Sequence, residues 1–213
     1  MNDEIICDKC GKSYDIFIQR KINTKESPSV IQELTDDTFF KRKCPHCGNI
    51  MYISHDLILE YEQKKTMFIC APDKLTYNSL LNMLQNDSSF RVLTDRYKNI
   101  RIVDSPDFLR EKVRIMEMNR DDRIIELIKL MFLNELNEKK MIKSVQDVLC
   151  WVENDGNMIF DFFGERNGEL KVESALYALF KLKYNSFLPD KANVTPIVDI
   201  NWAMDFMDLV EAQ

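Results

Sequence analysis

The chain is poor in two residue types on which many enzymes depend. Its 213 residues include only five glycines and two histidines. The glycine-rich phosphate loops GxxxxGK and GxGxxG do not occur, which excludes nucleotide binding through a P-loop or a Rossmann motif. A cysteine nucleophile needs a histidine beside it, and His46 and His55 are the two histidines in the sequence. We therefore favour a non-enzymatic protein.

Long hydrophobic runs and a basic N-terminal segment are also lacking. No apolar stretch approaches the roughly 20 residues that a membrane-spanning helix needs. The first four residues, MNDE, are acidic where a signal peptide would be basic, and no apolar segment follows them. These features predict a cytoplasmic protein that does not enter a membrane, and in that compartment cysteine thiols stay reduced.

The net charge of −6 originates in the last third of the chain. Residues 151–213 carry 5 Lys and Arg against 11 Asp and Glu, whereas the counts are 10 against 12 in residues 1–73 and 14 against 12 in residues 74–150. Release of counterions from phosphates drives nucleic-acid binding, so a binding domain is expected to be basic. The local exception is Lys41-Arg42-Lys43, which we interpret as solvent-facing strand residues that keep a sheet edge soluble.

Four of the six cysteines form two pairs with the same spacing. Cys7 and Cys10 lie in the sequence CDKCG, and Cys44 and Cys47 lie in CPHCG. A gap of two residues turns both thiolates of a pair toward one ion, and two such pairs supply the four tetrahedral ligands of Zn²⁺. The glycine after each pair suits a tight turn, where a positive φ is cheap only without a Cβ atom. We predict one structural zinc ion bound by these four residues.

Two other uses of the second cysteine pair fit the sequence less well. CPHC is also the active-site tetrapeptide of oxidising thiol–disulfide exchange enzymes, in which the first cysteine lies at a helix N-terminus. Here the pair is followed by IMYI at residues 50–53, which predicts a strand. A catalytic zinc keeps an open fourth position, whereas four thiolates close the shell. For His46, a supporting hydrogen bond to the metal site and simple exposure in a loop both remain open.

Residues 1–73 predict a zinc ribbon, in which the metal joins β-hairpins. Segments rich in β-forming residues predict strands at residues 14–22, 38–43, 49–54, 57–61 and 66–70. The last two form a hairpin, and Ser27-Pro28 begins a short helix inserted between the cysteine pairs. The strands of residues 1–73 contain many polar residues, so the hydrophobic core of this domain is small. We therefore expect the ion to contribute much of the folding free energy.

Residues 74–213 predict a second domain of helices and short hairpins, which makes the fold class α+β. Residues 90–93 and 100–103 predict short strands, and Asn154-Asp155-Gly156 is the most hairpin-like turn. Helix N-caps are predicted at Asp73, Ser105 and Asp199. Cys70 and Cys150 each lie in an apolar run, so we expect both to be buried core thiols.

The longest predicted helix begins at Asp121-Asp122 and runs to about residue 137. Its sequence is apolar except for a narrow stripe through Asp122, Glu126 and Lys129. A helix that is apolar on nearly all sides is expected to be central and buried. We interpret the two carboxylates near its start as compensating the helix dipole.

The two cysteine pairs resemble those of the CpXC family of bacterial and archaeal proteins. The resemblance extends to YEQKKTMFICAP at residues 61–72, RIV at 101–103, LREKV at 109–113, DDRIIEL at 121–127 and DINWA at 199–203. The first pair lacks the proline that gives the family its name, but proline is not a metal ligand. The resemblance implies a metal site and a fold, and it implies no activity.

These observations predict a zinc-binding adaptor or regulatory protein whose ribbon binds another protein. The acidic C-terminal region suits a basic partner. The alternative is a nucleic-acid-binding zinc ribbon, in which Lys41, Arg42 and Lys43, together with Lys9 and Lys12, contact phosphates. A third possibility, an enzyme in the C-terminal domain, has no motif behind it.

Overall fold

The computed structural model describes residues 2–86, 95–138, 145–165, 167–189 and 196–212. Contacts between Cα atoms divide the chain into two compact units, Met1–Arg110 and Glu111–Gln213. The fold is an α+β mixture, as predicted. Among the described residues, no helix is both long and apolar enough to cross a bilayer. The predicted strand at residues 90–93 lies outside the described part.

The first unit contains two small hairpins and one larger sheet. Strands β1 (Asn2–Ile6) and β2 (Ser13–Phe17) pair antiparallel, as do β4 (Lys41–Lys43) and β5 (Ile50–Tyr52). The short helix α1 (Val30–Thr35) lies between them in sequence and begins two residues later than predicted, with Ser29 as its N-cap and not Ser27. Its buried residues are Val30 and Leu34. The predicted arrangement of strands around an inserted helix is therefore present.

The larger sheet has the strand order β3-β6-β7-β8, from β3 (Lys21–Asn23), β6 (Leu57–Tyr61), β7 (Thr66–Cys70) and β8 (Asn99–Val103). The hairpin of β6 and β7 has the predicted bounds, and Lys65 turns it with a φ of 48°. Strands β3 and β8 pair parallel to β6 and β7, respectively. Leu59 in β6, Phe68 in β7 and Ile100 in the edge strand β8 are fully buried.

Three strand predictions in this unit were too long, the one at residues 49–54 because only Ile50–Tyr52 form a strand. Residues 14–22 form two strands in two different sheets, because β3 pairs with β6 and not with β1. Residues 38–43 form a strand only from Lys41. The backbone N–H groups of Thr38 and Phe39 donate to the Glu33 carbonyl, which satisfies the C-terminal end of α1 in place of a strand ladder.

Helix α2 (Lys74–Asn86) follows β7 and begins at the predicted cap, where the Thr76 N–H donates to Asp73 Oδ1. Helix α3 (Pro106–Glu117) begins with the Phe108 N–H donating to Ser105 Oγ. Strand β8 extends the sheet of the first unit past residue 73, since it pairs with β7. The division after residue 73, as a limit of independent folding, stays a prediction.

The second unit packs three helices with a three-stranded antiparallel sheet. The helices are α4 (Asp122–Glu138), α5 (Ser174–Tyr184) and α6 (Ile200–Glu211), and the strands are β9 (Val145–Val152), β10 (Met158–Gly164) and β11 (Gly168–Val172). Every residue of α4 from Ile124 to Leu130 is buried. The predicted central helix is therefore confirmed, and so is the cap of α6, where Asp199 Oδ1 accepts from the Trp202 N–H.

The polar stripe of α4 is buried with charged residues of α3. Lys129 Nζ lies 2.6 Å from Glu111 Oε1 and 3.0 Å from Glu126 Oε1. Lys112 Nζ lies 2.7 Å from Glu126 Oε1 and 3.5 Å from Asp122 Oδ2. Compensation of the helix dipole therefore does not account for Glu126, whose partners are two buried lysines. Its burial requires them, because an unpaired charge in this position would be strongly destabilising.

Candidate metal centre

Each cysteine pair lies in the turn of one of the two small hairpins. The Gly11 N–H donates to the Cys7 carbonyl at 2.9 Å, and the Gly48 N–H donates to the Cys44 carbonyl at 2.9 Å. Both glycines have a positive φ, 69° at Gly11 and 74° at Gly48, a conformation that a residue without Cβ adopts at little cost. The two turns therefore have the same backbone design, as their shared sequence spacing predicts.

The two turns bring the four predicted cysteine sulfurs into one cluster. Cys7 Sγ lies 3.7 Å from Cys47 Sγ, and Cys10 Sγ lies 3.8 Å from Cys44 Sγ. All four sulfurs lie within 4.8 Å of one another. A disulfide needs about 2.05 Å between sulfurs, whereas the edge of a tetrahedral site with metal–sulfur bonds of about 2.3 Å is about 3.8 Å. The cluster fits one four-coordinate metal ion.

The cluster lies at the edge of a small apolar core. Cys7 and Cys44 are buried, Cys10 is partly buried and Cys47 is exposed. Met51 is buried with them, and Ile5, Tyr14 and Ile53 pack against this group. One side of the site is thus shielded from water by hydrophobic side chains, while the Cys47 side faces solvent.

The thiols of the cluster do not ionise alike. The backbone N–H of Cys10, followed by weaker contributions from its neighbours, lowers the pKa of Cys7 to about 7. At Cys47 the N–H of Asn49 favours the thiolate, but partial desolvation by the surrounding atoms and the three neighbouring cysteines outweigh it and raise the pKa to about 12. Four thiolates repel one another unless a cation lies between them. Loss of all four protons therefore calls for a bound metal cation.

A hydrogen bond outside the cysteines connects the two turns. The Asn49 side-chain amide donates to Asp8 Oδ1 at 2.6 Å, and the Cys7 thiol lies 3.9 Å from the same oxygen. Asp8 belongs to the first turn and Asn49 follows the second. Sequence reasoning missed this pair, because only folding brings residues 41 positions apart into contact. Such supporting contacts orient the residues that hold a metal.

The histidines take different positions. His46 is exposed in the second turn, and its ring lies edge-on to Tyr14 with 6.2 Å between centroids. His55 is buried against Phe39 and Phe40, and its Nδ1 lies 2.9 Å from the Ile53 carbonyl. Burial lowers the pKa of His55, which keeps the ring neutral. Neither histidine belongs to the group of four sulfurs.

The basic residues before the second turn interact within the chain. Lys41 Nζ lies 2.6 Å from Asp37 Oδ2. Arg42 Nη1 donates to the carbonyls of Phe39 and Lys41, and its guanidinium lies over the Phe39 ring. Lys43 is exposed. Two of the three candidate nucleic-acid contacts are therefore engaged by neighbouring groups.

The remaining cysteines are buried free thiols, as predicted. Cys70 is in β7 and Cys150 is in β9. Burial raises the pKa of both thiols, so both stay protonated at neutral pH. Protonated thiols in a core behave as small hydrophobic side chains.

The family model described as CpXC protein matches residues 5–129, which include both cysteine pairs. Comparison with curated proteins and with solved structures gave no match. The matched region ends within α4. The metal-binding design of the two turns and the family match point to the same four cysteines, whose assignment as ligands stays a prediction.

Proposed function

The chain belongs to the CpXC family. We propose that it is a zinc-binding, non-enzymatic adaptor whose N-terminal ribbon binds another protein. The support comes from two features of the first unit. One is the closed set of four sulfurs, and the other is a group of exposed apolar side chains on the hairpins that carry them.

Four thiolates favour zinc over other abundant cations. Mg²⁺ and Ca²⁺ prefer oxygen ligands, whereas Zn²⁺ is commonly bound by four cysteines in structural sites. The shell is then complete, so no position is left for a substrate or an activated water molecule. A structural role for the ion follows, with the metal holding together two hairpins of three to five residues per strand.

The hairpins present hydrophobic side chains to solvent. Ile6 is 71% exposed, and Phe17 and Ile50 are each 65% exposed. The register of β1 and β2 places Ile6 and Phe17 on the same face of their hairpin, since alternate residues share a face. These exposed apolar side chains carry the proposal, because a partner that covers them removes apolar surface from water, which favours association.

The metal part of the proposal is tested by elemental analysis of the purified protein. We expect one zinc ion per chain, and we expect Cys44→Ser to lose the ion and unfold the ribbon. Cys70→Ser is the matched control, because Cys70 is buried in the same unit but lies outside the cluster. A Cys44→Ser variant that keeps its ribbon folded without metal would contradict a structural ion.

The interaction part is tested by affinity purification of the full chain from its native host. Wild type is compared with Phe17→Ser and Ile50→Ser, and with Leu209→Ser as control. Leu209 is 66% exposed and lies in the other unit. We expect one specific protein with wild type and with the control, and its loss with the ribbon variants, all of which retain zinc. Recovery of no specific protein, or equal recovery with all variants, overturns the proposal.

The nucleic-acid alternative predicts binding that weakens as salt rises. It relies on Lys41, Arg42 and Lys43 together with Lys9 and Lys12, and of these Lys41 and Arg42 already have partners within the chain. This engagement is why we prefer a protein partner. Absence of a gel shift at low salt, with any DNA or RNA tested, would eliminate the alternative.

A further inference from the structure

The three helices of the second unit enclose a groove of about 680 Å³. It runs along α4 and is flanked by the last turn of α5 and by α6. Seven large side chains form its apolar wall: Leu127, Leu130, Met131, Phe180, Tyr184, Met204 and Met207. Met204 is 47% exposed. Methionine is flexible and polarizable, so surfaces rich in it adapt to the apolar face of a bound segment.

The rim of this groove is acidic. Among the described residues, four carboxylates line it, from Glu135, Glu138, Asp208 and Glu211, against one cation, Lys183. Lys183 Nζ lies 4.8 Å from the centroid of the Tyr184 ring, so this ammonium group is held against the wall. The rim therefore presents an excess of negative charge around an apolar floor.

Two of the rim carboxylates occupy positions that are unfavourable for helix stability. Asp208 and Glu211 lie near the C-terminal end of α6. A helix C-terminus carries partial negative charge and is stabilised by Lys, Arg or His. The last turn of α6 contains no basic residue. The dipole of α6 therefore does not account for these two carboxylates, and a cationic ligand at the rim would stabilise them.

The dimensions of the groove suit a helix of about three turns. Its lining residues on α4 extend from Leu127 to Glu138, which corresponds to about 16 Å at 1.5 Å per residue. A partner helix with hydrophobic residues at i, i+3, i+4 and i+7 places them on the floor and its Lys and Arg residues at the rim. Anionic membranes and nucleic acids are repelled by the same rim.

We propose that this groove binds a basic amphipathic helix of a partner protein. The inference deepens the proposed adaptor function, because it gives the second unit a binding role and a partner of stated chemistry. The observations behind it are the apolar floor, the acidic rim and the length of the groove, none of which involves the ribbon.

The probe is a labelled peptide of about 14 residues, with Leu at i, i+3, i+4 and i+7 and Lys elsewhere, titrated with the full chain by fluorescence anisotropy. One control peptide has the same composition in scrambled order, and a second has Glu in place of Lys. We expect saturable binding of the first peptide that weakens as NaCl rises from about 0.05 to about 0.5 M, and binding at least about tenfold weaker for both controls. Equal binding of the scrambled peptide overturns the proposal.

Paired variants locate the binding. Met204→Gln changes the wall, and Leu209→Gln changes an exposed residue of the same helix outside the groove. Asp208→Lys reverses a rim charge, and Asp205→Lys reverses an exposed charge of α6 that does not line the groove. We expect about fivefold to tenfold weaker binding for Met204→Gln and Asp208→Lys, and changes within about twofold for the controls. Equal effects within each pair contradict the assignment.

Other occupants give different results. In sequence, Lys139, Lys140 and Lys143 follow α4; they lie outside the described residues. If the peptide binds only after these lysines are replaced by Ser, the groove belongs to the chain's own segment and the proposal is wrong. Self-association that Met204→Gln abolishes would assign the groove to a second copy and would overturn it as well.

The two proposals fail separately. If the peptide does not bind, and the Phe17→Ser and Ile50→Ser variants lose the partner in affinity purification, the groove proposal is wrong and the ribbon proposal stands. If the peptide binds and the variants weaken it as expected, but no specific protein is recovered with the ribbon, the ribbon proposal is wrong and the groove proposal stands.

Discussion

Lys129 and Glu111 form an ion pair of 2.6 Å between side chains that are 2% and 0% exposed. Glu111 also accepts a hydrogen bond from the backbone N–H of Cys150 in β9. One carboxylate thus connects α3, α4 and the sheet of the second unit. Removing a partner from such a pair leaves an uncompensated buried charge, which costs more than the pair itself contributes.

We expect Lys129→Met to lower the free energy of unfolding of the second unit by about 3–5 kcal/mol. The matched control is Lys171→Met, because Lys171 pairs with Glu153 at 2.7 Å but is 59% exposed; its cost should stay below about 1 kcal/mol. Urea denaturation followed by tryptophan fluorescence measures both, since Trp151 and Trp202 both lie in this unit. If both variants lose the same free energy of unfolding, burial does not make the Lys129–Glu111 pair more important for stability than the exposed Lys171–Glu153 pair.

The second unit should lose stability at alkaline pH. Burial, reinforced by Glu111, raises the pKa of Cys150 well above 9.0. The unfolded thiol ionises near 9 while the folded thiol keeps its proton, so the free energy of unfolding falls by about 1.4 kcal/mol per pH unit above that value. Although burial disfavours their charge, the surrounding carboxylates raise the pKa of Lys112 and Lys129 above 10.5. Their stabilisation is complete below 10.5 and is lost as pH rises further.

Replacing Cys150 separates the thiol from the lysines. Between pH 8 and about 10.5, the Cys150→Ala variant should lose up to about 2 kcal/mol less than wild type, measured as the urea midpoint of tryptophan fluorescence. If the two proteins lose the same free energy over this interval, the buried thiol does not contribute to the alkaline sensitivity.

Gly11→Ala should weaken the ribbon through backbone strain alone. A Cβ atom at Gly11 meets nothing within 4 Å, but φ there is +69°, and a left-handed conformation costs about 1–2 kcal/mol with an ordinary side chain. Gly11→Asn should lose less, because Asn tolerates this region. Gly168→Ala is the control, with open space and no positive φ. Competition with a zinc chelator measures how much more readily each variant releases zinc. If Gly11→Ala releases zinc no more readily than wild type, backbone strain at this position is refuted.

Asp199→Ala should destabilise α6 by about 0.5–2 kcal/mol, because it removes the acceptor of the Trp202 N–H at 2.8 Å. Glu173 is the N-cap residue of α5 and makes no side-chain cap hydrogen bond, so Glu173→Ala should be nearly neutral. Thermal unfolding followed by tryptophan fluorescence compares the two variants. A larger effect at Glu173 than at Asp199 would contradict the capping assignment.

Local signals in the sequence predicted much of the secondary structure. The caps at Asp73, Ser105 and Asp199 and the hairpin of β6 and β7 are present where expected. Caps and turns depend on interactions within a few residues, so their chemistry is visible in a short segment. Strand limits were less predictable, as the split of residues 14–22 between two sheets illustrates.

The sequence by itself determined the α+β class and the central position of α4. It also determined the two equally spaced cysteine pairs, Cys7 with Cys10 and Cys44 with Cys47, each within one turn. These follow from residue type, spacing and hydrophobic period, all of which are local properties. Only the tertiary structure decided that the polar stripe of α4 meets the lysine and glutamate of α3, and that three helices leave an acidic-rimmed groove. Both depend on the packing of helices that are distant in sequence, and an ion partner or a groove wall cannot be inferred from spacing within one helix.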